Sequence, residues 1–193
     1  MQPRGKRRRA IGAVLLVMFS LGAAAGVSGC APDEGTTSSP PPSPTASAST
    51  AVLPSNEEAL AIVEELYPQL LEAQGAFMRN ELTLEELQVV ATADMVATIE
   101  ESHGKGADRG YVVTGAPTAD AIRLQQVQDS AGVVEIRFYA CFDRTSYVPF
   151  DSNGQPVLSD DARIRIPVEA VVDSSEGTYK VDGYEPWPGE DFC

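Results

Sequence analysis

The sequence predicts an α+β domain, with N-terminal helices packed on one face of a mostly antiparallel sheet, and three observations carry that reading. From Ser55 to about Gly104, apolar residues recur at helical spacing behind recognisable caps. From Tyr111 to Tyr184 they alternate with polar residues in the period-two pattern of a sheet with two different faces. Between Ala31 and Pro54 neither pattern exists, so the folded domain begins at Ser55. Helices first and strands after them segregate the two element types, which is how an α+β domain is built.

The first 29 residues have the three parts of an export signal: a basic start with Arg4, Lys6, Arg7, Arg8 and Arg9, an apolar run from Ala10 to Val27, and small residues at Ser28 and Gly29. The positive start holds the N-terminus in the cytoplasm. A run of this length is also enough for a permanent membrane helix, but it is rich in Ala and Gly and stops at Gly29-Cys30. Arg7-Arg8-Arg9 lacks the flanking pattern of a twin-arginine signal and reads as an ordinary basic start.

Val27-Ser28-Gly29-Cys30 resembles the lipobox of bacterial lipoproteins, in which a peptidase cuts before a cysteine already carrying diacylglycerol. The resemblance implies a cleaved signal peptide over 1–29, lipidation (a palmitate-type anchor) on Cys30, and residence on the extracytoplasmic face of the cell membrane. Cleavage removes five of the 14 Lys and Arg and none of the 28 Asp and Glu, leaving a formal charge of −19. Such a surface repels phosphates and anionic headgroups, which argues against nucleic acid as a partner. With Cys30 assigned to lipid, Cys141 and Cys193 remain as a pair in an oxidising compartment, with two free thiols as the alternative. A bridge between them would staple the last strand and tail to the sheet.

Residues 31–54, which follow the lipidated Cys30 in the linker, are mostly Ser, Thr, Pro and Ala, with only Asp33 and Glu34 charged. They cannot bury enough apolar surface to offset ordering and are expected to be disordered. Such a stalk would reach from about 27 Å as a flexible coil to about 75 Å as polyproline.

Ser55 with Glu58 forms a capping box. Leu60, Val63, Leu66, Tyr67, Leu70 and Leu71 follow on one helical face. Pro68 is expected to kink that helix or to break it, with a second segment reaching Met78. Thr83 with Glu86 opens a short helix through about Ala91, and a third starts at Asp94, carries Met95, Ile99 and His103, and is expected to end at Gly104. Strands are expected at Tyr111–Val113, Ile122–Val127, Val133–Phe142, Arg163–Val172 and Thr178–Tyr184, with a hairpin turn over Asp129–Gly132. Val134, Ile136, Phe138 and Ala140 mark one face of the central strand, and Ile164, Ile166, Val168, Ala170 and Val172 repeat it.

This order resembles the nuclear-transport-factor-two-like fold, also called SnoaL-like or cystatin-like, a cone in which a curved sheet wraps a long N-terminal helix. Ala140-Cys141-Phe142-Asp143, Gly154-Gln155-Pro156, the strand at Arg163–Val172, Tyr179-Lys180-Val181 and the closing Cys193 are similar to a pattern of secreted lipoproteins from high-GC Gram-positive bacteria. That pattern places Trp where Tyr179 stands here; the only Trp, Trp187, lies after the strand. Enzymatic members of the fold hold a His and a carboxylate inside the cone, which makes His103 and Asp143 the weak catalytic candidates. Other relatives bind small apolar ligands in the cone or pair through the sheet. The resemblance therefore implies cavity positions at Phe138, Phe142 and Tyr179, and as partners the membrane, a small apolar ligand or an envelope protein, with the chain a monomer or homodimer.

Each candidate has a plainer reading. His103 near a helix end is a favourable cation for the dipole, Asp143 beside Arg144 is a surface ion pair, and the aromatic residues are core and rim. Asp151-Ser152-Asn153-Gly154 with Asp160 and Asp161 lacks the ladder of acids and trailing Glu of a calcium loop, and Asn153-Gly154 is first a turn signal. No metal and no cofactor are expected. The function expected is a non-catalytic binding or interaction module; a small cofactor-free cyclase, dehydratase or isomerase is the alternative.

Overall fold

Helix α1 (Asn56–Met78) turns Ala59, Val63, Tyr67, Leu70 and Leu71 to one side, and all five are fully buried. They sit on the face of the sheet that Ile136, Phe138, Ala140, Val168, Ala170 and Val172 present. Burying each large apolar side chain of this set contributes about 1.5–3 kcal/mol. The computed structural model describes residues 52–158 and 162–193; the expected signal peptide, Cys30 and the linker up to Ala51 lie outside the described residues, as do Asp160 and Asp161. After α1 come α2 (Leu84–Leu87), α3 (Ala93–Ala107), β1 (Val112–Thr114), β2 (Thr118–Ser130), β3 (Val133–Asp143), β4 (Val148–Phe150), β5 (Arg165–Asp173) and β6 (Lys180–Pro186).

The main sheet has the order β2-β3-β5-β6, every neighbour antiparallel, and β1 pairs with β4 in a separate two-stranded ribbon. The α+β architecture is thus as the sequence predicts. The β2–β3 hairpin turns on Ala131 (φ 56°) and Gly132 (φ 91°), both in the left-handed region that a two-residue turn of this twist demands. Asp129 Oδ1 accepts from the Gly132 N–H at 2.7 Å and closes it.

Several boundaries differ from expectation for identifiable reasons. Pro68 does not break α1, which runs through it. Pro68 and Glu64 both lie on the exposed side, so water can take the carbonyl that Pro68 leaves unpaired, while Tyr67, Leu70 and Leu71 hold the helix down. Helix α2 keeps its capping box but stops at Leu87. The chain is drawn off to the sheet there: Val181 N–H donates to Val90 O at 2.9 Å and Thr92 N–H to Val181 O at 3.0 Å. Helix α3 runs past Gly104 to Ala107, its N-cap being Thr92. The stop is a Schellman motif at Gly110 (φ 69°), with Tyr111 N–H donating to Gly106 O and Gly110 N–H to Ala107 O. Strand β4 has no counterpart in the sequence reading, and Ile164 lies before β5, 47% exposed, rather than on its buried face.

Gly75 fixes how closely α1 approaches the sheet connection. A Cβ there would lie 2.5 Å from the Ala116 Cβ and 2.7 Å from its Cα, a clash with backbone that cannot relax cheaply.

Candidate functional site

Two of the clefts among the described residues gather polar side chains where helix ends and one irregular strand meet. The larger cleft, about 390 Å³, lies between the end of α1, the last turns of α3 and β1, and holds Arg79, Asn80, Glu81 and His103. Arg79 donates from Nε to Glu81 at 2.9 Å and from Nη1 to Gly115 O at 2.5 Å, so this guanidinium is committed on both sides. The Arg79 hydrogen bond and charge also hold the Glu81 carboxyl below its ordinary range. The His103 ring lies against Phe77 at 5.2 Å and makes no hydrogen bond among the described residues. Because α3 continues to Ala107, His103 sits a turn before the helix end, and the last turn carries Lys105 instead, paired with Glu101.

Asp143 belongs to a different cluster, at the far end of β3. Its carboxylate accepts from the Thr145 N–H at 2.8 Å and lies 3.7 Å from Arg165, which itself holds Asp120 with both terminal nitrogens. The Thr145 hydrogen bonds, and behind them Arg165, hold the Asp143 carboxyl below the usual range. A general acid working near neutral pH needs the opposite shift. The structure places the two candidates in separate clusters and makes no pair of them.

The second cleft, about 290 Å³, is bounded by α1, α3 and β6 and lined by Gln74, Met95, Ile99, Asp182 and Tyr184. A β-bulge makes it. Val172 pairs with Val181 but Val171 with Gly183, so Asp182 is the extra residue, and the slip lets both Val181 and Tyr184 reach the helix side. The Thr92 hydroxyl donates to Asp182 Oδ1 at 2.8 Å, and the Tyr184 hydroxyl donates to Gln74 Oε1 at 3.0 Å.

Behind Tyr184 lies an aromatic stack. The Phe142 ring packs on Tyr184 at 5.4 Å, and Tyr67 meets Tyr184 at 5.8 Å and Phe138 at 5.2 Å, both edge-on. Of the three cavity positions, Phe138 is therefore wholly inside the core and Phe142 nearly so. Tyr179 lines a shallow groove of about 510 Å³ with Leu53 and Ile62. Burial raises the Tyr67 hydroxyl pKa well above its usual value and pushes the Tyr147 hydroxyl up to about 12, with Tyr184 adding to both. The buried Tyr67 hydroxyl has no hydrogen-bond partner among the described residues. Tyr67→Phe should accordingly raise stability, by about 1 kcal/mol; a denaturant midpoint that falls instead would show that the hydroxyl is satisfied in solution.

The outer face of the sheet is covered at one end by the tail. Cys141 and Cys193 are joined in a disulfide with Cα atoms 5.5 Å apart. The Tyr139 ring packs against Trp187 at 4.8 Å and Phe192 at 6.0 Å, and Arg123 sits over Phe192. Asp151, the first residue of the rejected calcium loop, accepts from the Asn153 and Gln155 N–H groups and so closes a turn. Among the described residues, no group of three or more His, Cys, Asp or Glu is placed to hold a metal, and no helix is long and apolar enough to cross a membrane.

No protein-family model matches the chain, and no curated protein matches it in sequence. Among solved structures, 17 chains match. The intermembrane space region of the chloroplast protein ARC6 is 15% identical over 67% of this chain and 97% of its own, with a TM-score of 0.41. Aln2 from a Streptomyces species is 11% identical over 69% of this chain and 91% of its own, with a TM-score of 0.34. Likenesses this distant carry no argument about activity.

Sequence reasoning missed Gln74 and Asp182 as site residues. One signal was present: Asp182-Gly183 interrupts the run Val181 to Tyr184, and a glycine inside a strand often marks a bulge.

Proposed function

We propose that this chain is an exported lipoprotein, anchored through Cys30, whose domain is a non-catalytic binding or interaction module of the cone-shaped, nuclear-transport-factor-two-like kind. The observation that carries the non-catalytic reading is the filled space between α1 and the sheet, where Tyr67, Leu70, Ile136 and Phe138 leave none of their surface exposed. The separation of His103 from the committed Asp143 supports it further. The Cys141–Cys193 disulfide fits an extracytoplasmic, oxidising location, and the lipobox over Val27–Cys30 supplies the anchor. The enzyme reading rests on one observation, that His103 and Glu81 line the same cleft.

The anchor is tested by expressing the full chain beside Cys30→Ala with a labelled fatty acid. The wild type should fractionate with membranes and carry label, and the variant should do neither. A membrane-bound, labelled pool that survives Cys30→Ala would remove the lipoprotein reading. Turnover of a small carbonyl or hydroxyl substrate that depends on His103 would replace the binding module with the enzyme.

A further inference from the structure

We infer that the cleft between α1, α3 and β6 is a binding site for a small organic ammonium ion, with Asp182 as its counter-ion. The inference rests on the binding-module reading and names the ligand class for one site.

Charge carries the first step. Asp182 is half-buried, and among the described residues no Lys, Arg or His forms an ion pair with it. The nearest basic residue in sequence, Lys180, is engaged by Glu176 at 2.7 Å. One oxygen, Oδ1, is satisfied by Thr92, while Oδ2 has no hydrogen-bond partner among the described residues. A half-buried carboxylate that has given up part of its hydration is stabilised most by an ion of opposite sign. Among the described residues no basic side chain lines the cleft, and the whole chain carries a formal charge of −14, so anionic ligands are disfavoured twice.

The walls define the remainder of the ligand. Met95, Ile99 and Tyr184 offer an apolar and aromatic surface, while Ser102 and Gln74 line the same cleft, and the Ser102 hydroxyl and Gln74 amide N–H groups have no hydrogen-bond partner among the described residues. A few polar groups aimed into an apolar hollow is the usual make-up of a small-molecule site. At about 290 Å³, the cleft sits at the lower edge of ordinary ligand pockets, roughly 300–1,000 Å³. A primary amine on a body of roughly ten non-hydrogen atoms fits that space. The bulge explains why the site exists: in regular register Asp182 would point to the outer face of the sheet, away from α3.

The test uses the full chain, isotope-labelled and held in a nonionic detergent, titrated with 2-phenylethylamine and with its neutral counterpart 2-phenylethanol while amide chemical shifts are followed. The amine should give saturable shifts at Thr98, Ser102 and Gly183 with a dissociation constant in roughly the 0.1–5 mM range. The alcohol should bind about tenfold more weakly. Asp182→Asn keeps an oxygen for Thr92, so the fold should hold while the preference for the amine disappears. Ser102→Phe, on the exposed side of α3, should block both probes with an unchanged melting temperature. Equal affinity for amine and alcohol, or a preference that survives Asp182→Asn, would overturn the proposal. Saturable shifts confined to the groove at Tyr179 would overturn it too while leaving the binding module standing, whereas conversion of either probe to a new species would sink the binding module itself.

Discussion

Phe138→Ala should lower the unfolding free energy by about 4 kcal/mol, read from the denaturant midpoint at constant slope. The ring is fully buried on β3 and its cross-strand neighbour on β5 is Ala170. Ala170 is too small to fill the space, and Leu124, the neighbour of Phe138 on β2, can close it only in part, so the variant loses the transfer free energy of the ring and many of the contacts around the cavity. It also loses the edge-on contact with the Tyr67 ring. Phe142→Ala is the internal control. Phe142 is 8% exposed, near the strand end, and among the described residues its ring stacks on Tyr184 alone, so truncation there should cost visibly less. If the two variants were equally destabilised, or if Phe138→Ala cost under about 1.5 kcal/mol, the core described between α1 and the sheet would be wrong.

Cys193→Ala should cost roughly 3–4 kcal/mol. The bridge spans 52 residues, and closing a loop of that length restricts the unfolded chain strongly in the entropy account of disulfide stabilisation. The native state loses something as well. Without the covalent tie, the tail is held by the Arg163–Asp191 pair, by Trp187 N–H donating to Pro167 O, and by the rings of Trp187 and Phe192 on Tyr139. Trp187 is the only tryptophan, so its emission reports on this tail alone. Reduction of the wild type should reproduce the stability loss and shift that emission to longer wavelength as the half-buried ring meets water. A variant within about 1 kcal/mol of wild type, with unchanged emission, would mean that the bridge does not fasten the tail.

The parts of the fold that rest on local chemistry were legible in the sequence. Both capping boxes, Ser55 with Glu58 and Thr83 with Glu86, form as their spacing requires, because each satisfies two otherwise orphaned backbone donors within four residues. The alternation in β3 was legible because one face is buried along its whole length. What could not be read depends on partners remote in sequence. Helix α2 ends where Val181 captures Val90 and Thr92, about 90 residues away. Gly104 looked like a stop for α3, yet a glycine ends a helix only where the following carbonyls and N–H groups close, and that closure falls at Gly110. Strand β4 contains Pro149 and is held by pairing with β1 on one side and by bridges to Pro156 and Val157 on the other. The site was less legible than the fold. His103 and Asp143 drew attention as residue types, whereas Asp182 gains its setting from a bulge whose register no single sequence displays.

The disulfide also has a mechanical consequence. It ties Cys193 back to β3, an interior strand of the main sheet, while at the other end α1 starts at Asn56, held at its first turn by the hydrogen bonds of its Ser55 cap and by no cross-link. A pull delivered through the segment before Ser55 therefore loads a helix end-on. Past the groove that Leu53 shares with Ile62 and Tyr179, the helix resists through the pair of hydrogen bonds between Ser55 and Glu58, at 2.8 and 3.2 Å. The sheet lies further along the line of force, behind the packed face of α1. Under the proposed anchoring through Cys30, strain reaching the domain through Ser55 would be absorbed by fraying a turn of helix before any strand is disturbed.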